Sequence, residues 1–245
     1  MTKFGKEPII KHYKDKIALA LDNNKDFASI EKLIDETSQF VGIYKVGFEQ
    51  FIRFGDKLFE PIRKNNAKIF LDMKLHDIPN TVAQAVSSAI YHGVDFLTIH
   101  AIGGKAMMTA AVESAKKSQN APKIIGVTIL TSIDKTAMND EMRINGEVEE
   151  QVARLTKLAA QCGLDGIVCS ALELPVVKAV VPDNFEIITP GIRPAGVDSQ
   201  DQKRVATPQS AIENGATILV IGRAITSAQN PSLAAKEILE SISKN

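Results

Sequence analysis

Three charged residues within six positions, Asp72, Lys74 and Asp77, are the part of this sequence best suited to chemistry. They follow residues 68–71, whose aliphatic and aromatic bias is typical of a β-strand. Side chains two positions apart on a strand share a face, so Asp72 and Lys74 should point the same way. An isolated Asp-x-Lys pair is often only a salt bridge at a strand end. Here the second acid, Asp77, gives one carboxylate more than pairing with Lys74 requires. An ammonium between two carboxylates is positioned to deliver a proton.

Composition limits the kinds of partner that the chain can have. Its 245 residues carry 29 Lys and Arg against 29 Asp and Glu, so no global charge favours nucleic acid or membrane. The first residues lack the apolar run of a signal peptide, and no segment approaches the roughly 18 apolar residues of a membrane span. We therefore expect a cytoplasmic protein that binds neither nucleic acid nor membrane.

The two cysteines, Cys162 and Cys169, are too few for a disulfide framework or a zinc site. Their pattern favours small, buried apolar residues. No set of His, Cys, Asp and Glu has metal-ligand spacing, so the sequence predicts no metal site.

Strands and helices alternate along the whole chain. Apolar runs predict strands at residues 16–22, 44–48, 68–71, 96–101, 124–130, 166–170, 186–190 and 218–223. Helical spacing predicts helices between them, including one over about residues 49–64 and one that starts at Pro79. Long polar connections are expected at residues 133–146 and 193–206.

Eight βα units without a composition break predict one closed (β/α)8 TIM barrel over residues 1–245, with residues 1–15 as an N-terminal extension. An open, doubly wound sheet is the alternative fold. It is weakened because no Gly-x-Gly-x-x-Gly follows the first strand.

Active sites of such barrels lie at the carboxyl ends of the strands, where polar residues collect in this sequence. The strand-end residues are Asp22, Lys45, Asp72, Lys74, His100, Thr131, Ser170, Arg193, Gly222 and Arg223. Lys45, Asp72, Lys74 and Asp77 alternate in sign and could form one network. His100 has no evident partner and His76 lies off the face shared by Asp72 and Lys74, so we interpret both as structural.

The loops after strands seven and eight are the favoured phosphate site of this fold. Here they carry Gly191, Arg193, Gln202, Gly222 and Arg223. Glycine lets backbone N–H groups approach an anion, and arginine can hold it through two hydrogen bonds. These loops therefore predict a phosphate-bearing ligand.

Four sequence motifs, which follow one another at the spacing of barrel strands, make the chain similar to a known family. They are Asp72-Met-Lys-Leu-His-Asp-Ile-Pro-Asn-Thr81, Pro190-Gly-Ile-Arg-Pro194, Asp201-Gln-Lys-Arg204 and Val220-Ile-Gly-Arg223. With them the chain resembles the orotidine 5′-phosphate decarboxylase family, of the bacterial single-function type, over nearly its whole length. The resemblance implies cofactor-free decarboxylation of orotidine 5′-monophosphate to uridine 5′-monophosphate in pyrimidine synthesis.

The resemblance also implies roles for individual residues. Lys74 would protonate C6 beside Asp72 and beside Asp77, the latter supplied by the partner subunit of a homodimer. Asp22 and Lys45 would hold ribose hydroxyls and complete the charged network. Thr81 and Thr131 would belong to the substrate pocket, and Ser132 would contact the pyrimidine. The phosphate would be bound by Arg193, Gln202, Gly222 and Arg223.

Two other functions remain open from the sequence. A metal-dependent, hexulose-phosphate synthase-like lyase shares the Asp-x-Lys-x-x-Asp pattern but uses magnesium beside an acid near the end of strand two. Lys45 stands at that strand end here, with Glu49 close by. A non-catalytic phospholigand-binding barrel would need the arginines but not Asp72, Lys74 and Asp77 together.

Overall fold

The computed structural model describes residues 13–22, 26–194 and 206–243. Eight parallel strands close into a barrel in sequence order, each paired with its neighbours and β8 paired with β1. The strands are β1 Ile17–Ala20, β2 Ile43–Gly47, β3 Lys68–Leu75, β4 Phe96–His100, β5 Lys123–Val127, β6 Gly166–Val168, β7 Glu186–Thr189 and β8 Ile218–Ile221. The predicted (β/α)8 barrel is confirmed, and the open-sheet alternative is wrong.

Helices connect the strands, as a parallel barrel requires. They are α1 Phe27–Thr37, α2 Phe48–Phe54, α3 Phe59–Lys64, α4 Pro79–Tyr91, α5 Gly104–Ala115, α6 Val148–Gln161, α7 Leu174–Lys178, α8 Pro208–Glu213, α9 Arg223–Thr226 and α10 Pro231–Ser243. Short 3-10 turns lie at Gly55–Leu58, Ala101–Gly103 and Ala171–Glu173. The connection after β5, expected to be a polar loop, contains a π-helix at Ala137–Glu141.

The single helix predicted over residues 49–64 is wrong. Helix α2 stops at Phe54 because Gly55 has a left-handed backbone, with φ of +61°. Glycine adopts this conformation without the steric cost of a Cβ and commonly ends helices. A 3-10 turn then leads into α3, so two short helices replace the long one.

The inside of the barrel is an apolar core made by alternate residues of the strands. Strand β1 contributes small residues to this core, and the rings of Phe70 and Phe96 lie 5.7 Å apart in it. The core residues are Ala18, Ala20, Ile43, Phe70, Phe96, Ile125, Ile188, Ile218 and Val220. Because inward positions alternate along a strand, the next inward positions are Asp22, Lys45, Asp72 and Thr98. The core thus supports a polar layer at the carboxyl end of the barrel.

No helix in the described part of the chain is long and apolar enough to span a membrane.

Candidate active site

A cavity of about 380 Å³ opens at the carboxyl ends of the strands. Its polar and glycine lining is Asp22, Lys45, Asp72, Lys74, Thr131, Cys169, Gly191, Arg193, Gly222 and Arg223. Most of the predicted strand-end residues therefore share one cavity, including both members of the Asp72–Lys74 pair.

Lys45 lies between two carboxylates. Its Nζ is 3.4 Å from each carboxylate oxygen of Asp22 and 3.3 Å from Oδ2 of Asp72. The side chains of Lys45 and Asp72 are each 10% exposed, whereas that of Asp22 is 49% exposed. The contact to Asp72 is consequently the stronger of the two, since water screens the exposed pair.

Lys74 donates to both carboxylate oxygens of Asp72, at 2.9 Å and 2.8 Å. The same ammonium also lies over the ring of Phe48, with Nζ 5.3 Å from the ring centroid. Asp72 thus contacts two lysines, and a chain of alternating charge runs from Asp22 through Lys45 and Asp72 to Lys74. The predicted network is present for Lys45, Asp72 and Lys74, whereas Asp77 is not among these contacts.

Opposing influences set the charge state of Asp72. Burial is the largest and raises the pKa of the carboxyl group. The positive charges of Lys45 and Lys74, with hydrogen bonds from Lys74 and Thr98, outweigh it and hold the pKa below its usual value. Asp72 therefore remains a carboxylate at neutral pH.

Thr98 is a site residue that the sequence analysis missed. Its hydroxyl donates to Oδ1 of Asp72 at 3.0 Å from a fully buried position on β4. The available signal was a polar residue in an otherwise apolar strand, two positions before His100 and on the same face.

The arginines of the predicted phosphate site enter the cavity from the other half of the barrel. Arg193 follows β7, which stands opposite β3 in an eight-stranded barrel, and Arg223 follows β8. Gly191 has a left-handed backbone with φ of +77°, and Gly222 lies directly before Arg223. Arg193 is only 7% exposed. Gln202 lies outside the described residues.

Three residues assigned through the resemblance lie outside the cavity. Asp77, Thr81 and Ser132 are exposed, and the cavity lining does not include them. Asp77 accepts a hydrogen bond from the backbone N–H of Ile78 at 2.6 Å. In contrast, Thr131 lines the cavity.

The two histidines pack together beside the charged chain, with ring centroids 5.5 Å apart. Burial is the main cause that lowers the pKa of His100, and His76 and Lys74 lower it further against the opposing charge of Asp72. His100 is therefore a neutral imidazole at neutral pH. Neither ring lines the cavity.

Ser170 and the cysteines have structural contacts. Ser170 is buried and caps the 3-10 turn at Ala171–Glu173, accepting from the backbone N–H of Leu172 at 3.3 Å. Cys169 is buried, and Cys162 is only partly buried; neither forms a disulfide. Burial raises the pKa of the Cys169 thiol, which disfavours the nucleophilic thiolate.

Among residues 13–22, 26–194 and 206–243, no group of three or more His, Cys, Asp or Glu side chains is arranged to hold a metal ion. Glu49, the acid near the end of β2, is exposed and is not part of the cavity lining.

The fold and site define a (β/α)8-barrel protein with a lysine–carboxylate chain on one side of its mouth and arginines on the other. Residues 15–238 match the model of the orotidine 5′-phosphate decarboxylase / HUMPS family, and the chain belongs to that family.

Individual members of the family align with this chain over nearly its full length. The orotidine 5′-phosphate decarboxylase of Moorella thermoacetica is 47% identical, with 96% of this chain and 95% of that protein aligned. That of Idiomarina loihiensis is 44% identical, with 93% and 97% aligned. The crystal structure of the Lactobacillus acidophilus decarboxylase superposes with a TM-score of 0.81 at 33% identity, covering 93% of this chain and 99% of that one.

Proposed function

We propose that this enzyme decarboxylates orotidine 5′-monophosphate to uridine 5′-monophosphate in de novo pyrimidine synthesis, with Lys74 as the proton donor to C6. The observation that carries the proposal is the Lys74 ammonium held on the cavity wall by both oxygens of Asp72. The family and the names of the full-length relatives support the reaction.

The reaction needs a cation where negative charge develops. Breaking the bond between C6 and the carboxylate releases carbon dioxide and leaves the electron pair on C6. An ammonium beside C6 stabilises that pair and then transfers a proton to it, so one proton is consumed and no electron is gained or lost. Lys74 is suited to this because Asp72 fixes its direction before the substrate binds.

The remaining cavity residues would bind the ribose and the phosphate. We assign the ribose hydroxyls to Asp22 and Lys45, which adjoin Asp72, and a contact in the substrate pocket to Thr131. Arg193, Gly222 and Arg223 would bind the phosphate, with Gln202 as a fourth contact. Binding energy gained at the phosphate can hold the charged groups in place for the reaction at C6.

We also propose a cytoplasmic homodimer in which Asp77 serves the neighbouring active site, with Thr81 and Ser132 as further substrate contacts. Asp77 is exposed and is not part of the cavity lining of its own subunit. Exposed apolar side chains support an interface between two subunits. Ile78, which follows Asp77, is 66% exposed, and on α2 Phe48 is 48% and Ile52 81% exposed. The free cysteines fit a reducing compartment.

No cofactor has a role in this proposal, because the lysine–carboxylate chain itself supplies the positive charge and the proton. A magnesium-dependent, synthase-like reaction would need an acid near the end of β2, where Lys45 occupies the inward position instead. A non-catalytic phospholigand-binding barrel would not require the chain of Lys45, Asp72 and Lys74.

An absorbance assay with orotidine 5′-monophosphate tests the function. We expect turnover to uridine 5′-monophosphate that is unchanged after exhaustive dialysis against a chelator. Activity lost on dialysis and restored by magnesium would favour the synthase-like reaction. Binding of the nucleotide without turnover would favour the non-catalytic barrel.

A further inference from the structure

Strand β3 bulges where it carries Asp72 and Lys74. Leu71 pairs with Leu97 of β4, but the next pair joins Leu75 to Ile99. Three residues of β3 (Asp72, Met73 and Lys74) therefore face one residue of β4, Thr98. Bulges of this kind redirect side chains and are common beside active sites.

The bulge places Lys74 in an unfavourable backbone conformation. Its φ is +46°, in the left-handed region that residues with a Cβ rarely adopt. Such a conformation persists only where surrounding contacts hold it. A contact that holds the Lys74 backbone therefore also determines where its ammonium lies.

The Thr98 hydroxyl makes that contact. It accepts a hydrogen bond from the backbone N–H of Lys74 at 2.8 Å and donates to Oδ1 of Asp72 at 3.0 Å. One hydroxyl can do both, because it has one proton and two lone pairs. Thr98 thus joins the backbone of the proposed proton donor to the carboxylate that orients its ammonium.

We propose that Thr98 is a positioning residue for the decarboxylation: its hydroxyl holds the β3 bulge so that Lys74 and Asp72 keep their mutual orientation. The inference rests on the proposed role of Lys74. Thr98 is fully buried and is not part of the cavity lining, so it acts through these two residues rather than on the substrate. Misplacing a catalytic group by about 1 Å can cost on the order of a hundredfold in rate.

Thr37 provides a matched control. It is equally buried, and its hydroxyl also makes two hydrogen bonds, to the carbonyl of Leu33 at 2.7 Å and to the hydroxyl of Tyr44 at 2.8 Å. Thr37 is not part of the cavity lining. Thr37→Val therefore removes a comparable buried hydroxyl without touching Lys74 or Asp72.

The test compares Thr98→Val, Thr98→Ser and Thr37→Val in decarboxylation of orotidine 5′-monophosphate and in binding of uridine 5′-monophosphate. We expect Thr98→Val to lower kcat by about a hundredfold. Nucleotide binding should change little, because the phosphate contacts lie across the cavity. Thr98→Ser, which restores the hydroxyl, should recover most of the wild-type kcat, and Thr37→Val should keep it.

Three outcomes would overturn the inference. They are a wild-type kcat for Thr98→Val, an equal loss for Thr98→Ser and Thr98→Val, and an equal loss for Thr37→Val. If Thr98→Val does not fold, Thr98→Ala is compared with Thr98→Ser by the same criteria. Failure of the proposed function is distinguishable, since the wild-type enzyme would then show no decarboxylation at all.

Discussion

Replacement of Lys45 by methionine tests how strongly the buried charges depend on one another. The Nζ of Lys45 lies 3.3 Å from Oδ2 of Asp72, and each side chain is 10% exposed. At that separation an effective dielectric constant of about 20 gives an attraction of roughly 5 kcal/mol. Lys74 remains on Asp72 in the variant, so the expected loss of unfolding free energy is about 3 kcal/mol, the lower end for a broken buried pair. Asp22 adds little because it is half exposed.

The loss should depend on pH in a defined direction. The pKa of Asp72 is depressed in the folded enzyme, so its stabilising contribution is present above its unfolded pKa of about 4 and is lost as pH falls through the folded value. Without Lys45 the folded pKa of Asp72 rises, since burial is then opposed by fewer positive charges. The difference in stability between wild type and Lys45→Met should therefore be largest at neutral pH and shrink as Asp72 becomes protonated.

Urea unfolding at pH 7 and at about pH 4 measures this difference. The control repeats Lys45→Met in an Asp72→Asn background, where the neutral amide no longer requires the ammonium and the loss should be much smaller. The reasoning is refuted if Lys45→Met has the same effect at both pH values and in both backgrounds.

Two further predictions concern the phosphate and the dimer. Arg223→Ala should reduce kcat/KM for the nucleotide by an amount equivalent to about 2–4 kcal/mol but should matter little for the nucleoside without phosphate. An equal loss on both substrates would assign Arg223 another role. The inactive proteins Lys74→Ala and Asp77→Ala should regain activity when they are mixed and refolded together. Random exchange makes about half of the dimers mixed, and each mixed dimer contains one intact site, so about a quarter of all sites should be active. Subunit exchange shown by mass spectrometry without regained activity would place Asp77 in its own subunit's site.

The barrel could be predicted because its signals are local and repeated. Apolar runs followed by a polar residue recur eight times, and all eight predicted strands are present. The break at Gly55 was missed because the apolar spacing of residues 49–64 continues through it. The glycine indicated the break, but only its φ of +61° shows that the helix ends there.

The site could be predicted as a set of residues but not as a geometry. Asp22, Lys45 and Asp72 were expected at the same end of the barrel because each lies at the carboxyl end of a strand, and Lys45 contacts both carboxylates. The period-two rule does not explain the Asp72–Lys74 contact, because it assumes a regular strand and β3 is bulged there. That bulge depends on the pairing of β3 with β4. The sequence marks Thr98 as a polar residue in an apolar strand, but it does not show that the Thr98 hydroxyl contacts Lys74, which lies 24 residues earlier.

The central claim is that Lys74 donates the proton to C6, and decarboxylation by Lys74→Ala tests it most directly. The variant keeps the contacts of Asp72 with Lys45 and Thr98, so we expect a folded protein that still binds uridine 5′-monophosphate. Its kcat/KM for orotidine 5′-monophosphate should fall by at least about 10⁴-fold, since both a general acid and a charge-stabilising group are removed. A folded Lys74→Ala enzyme that retains a substantial fraction of wild-type decarboxylation would contradict the account.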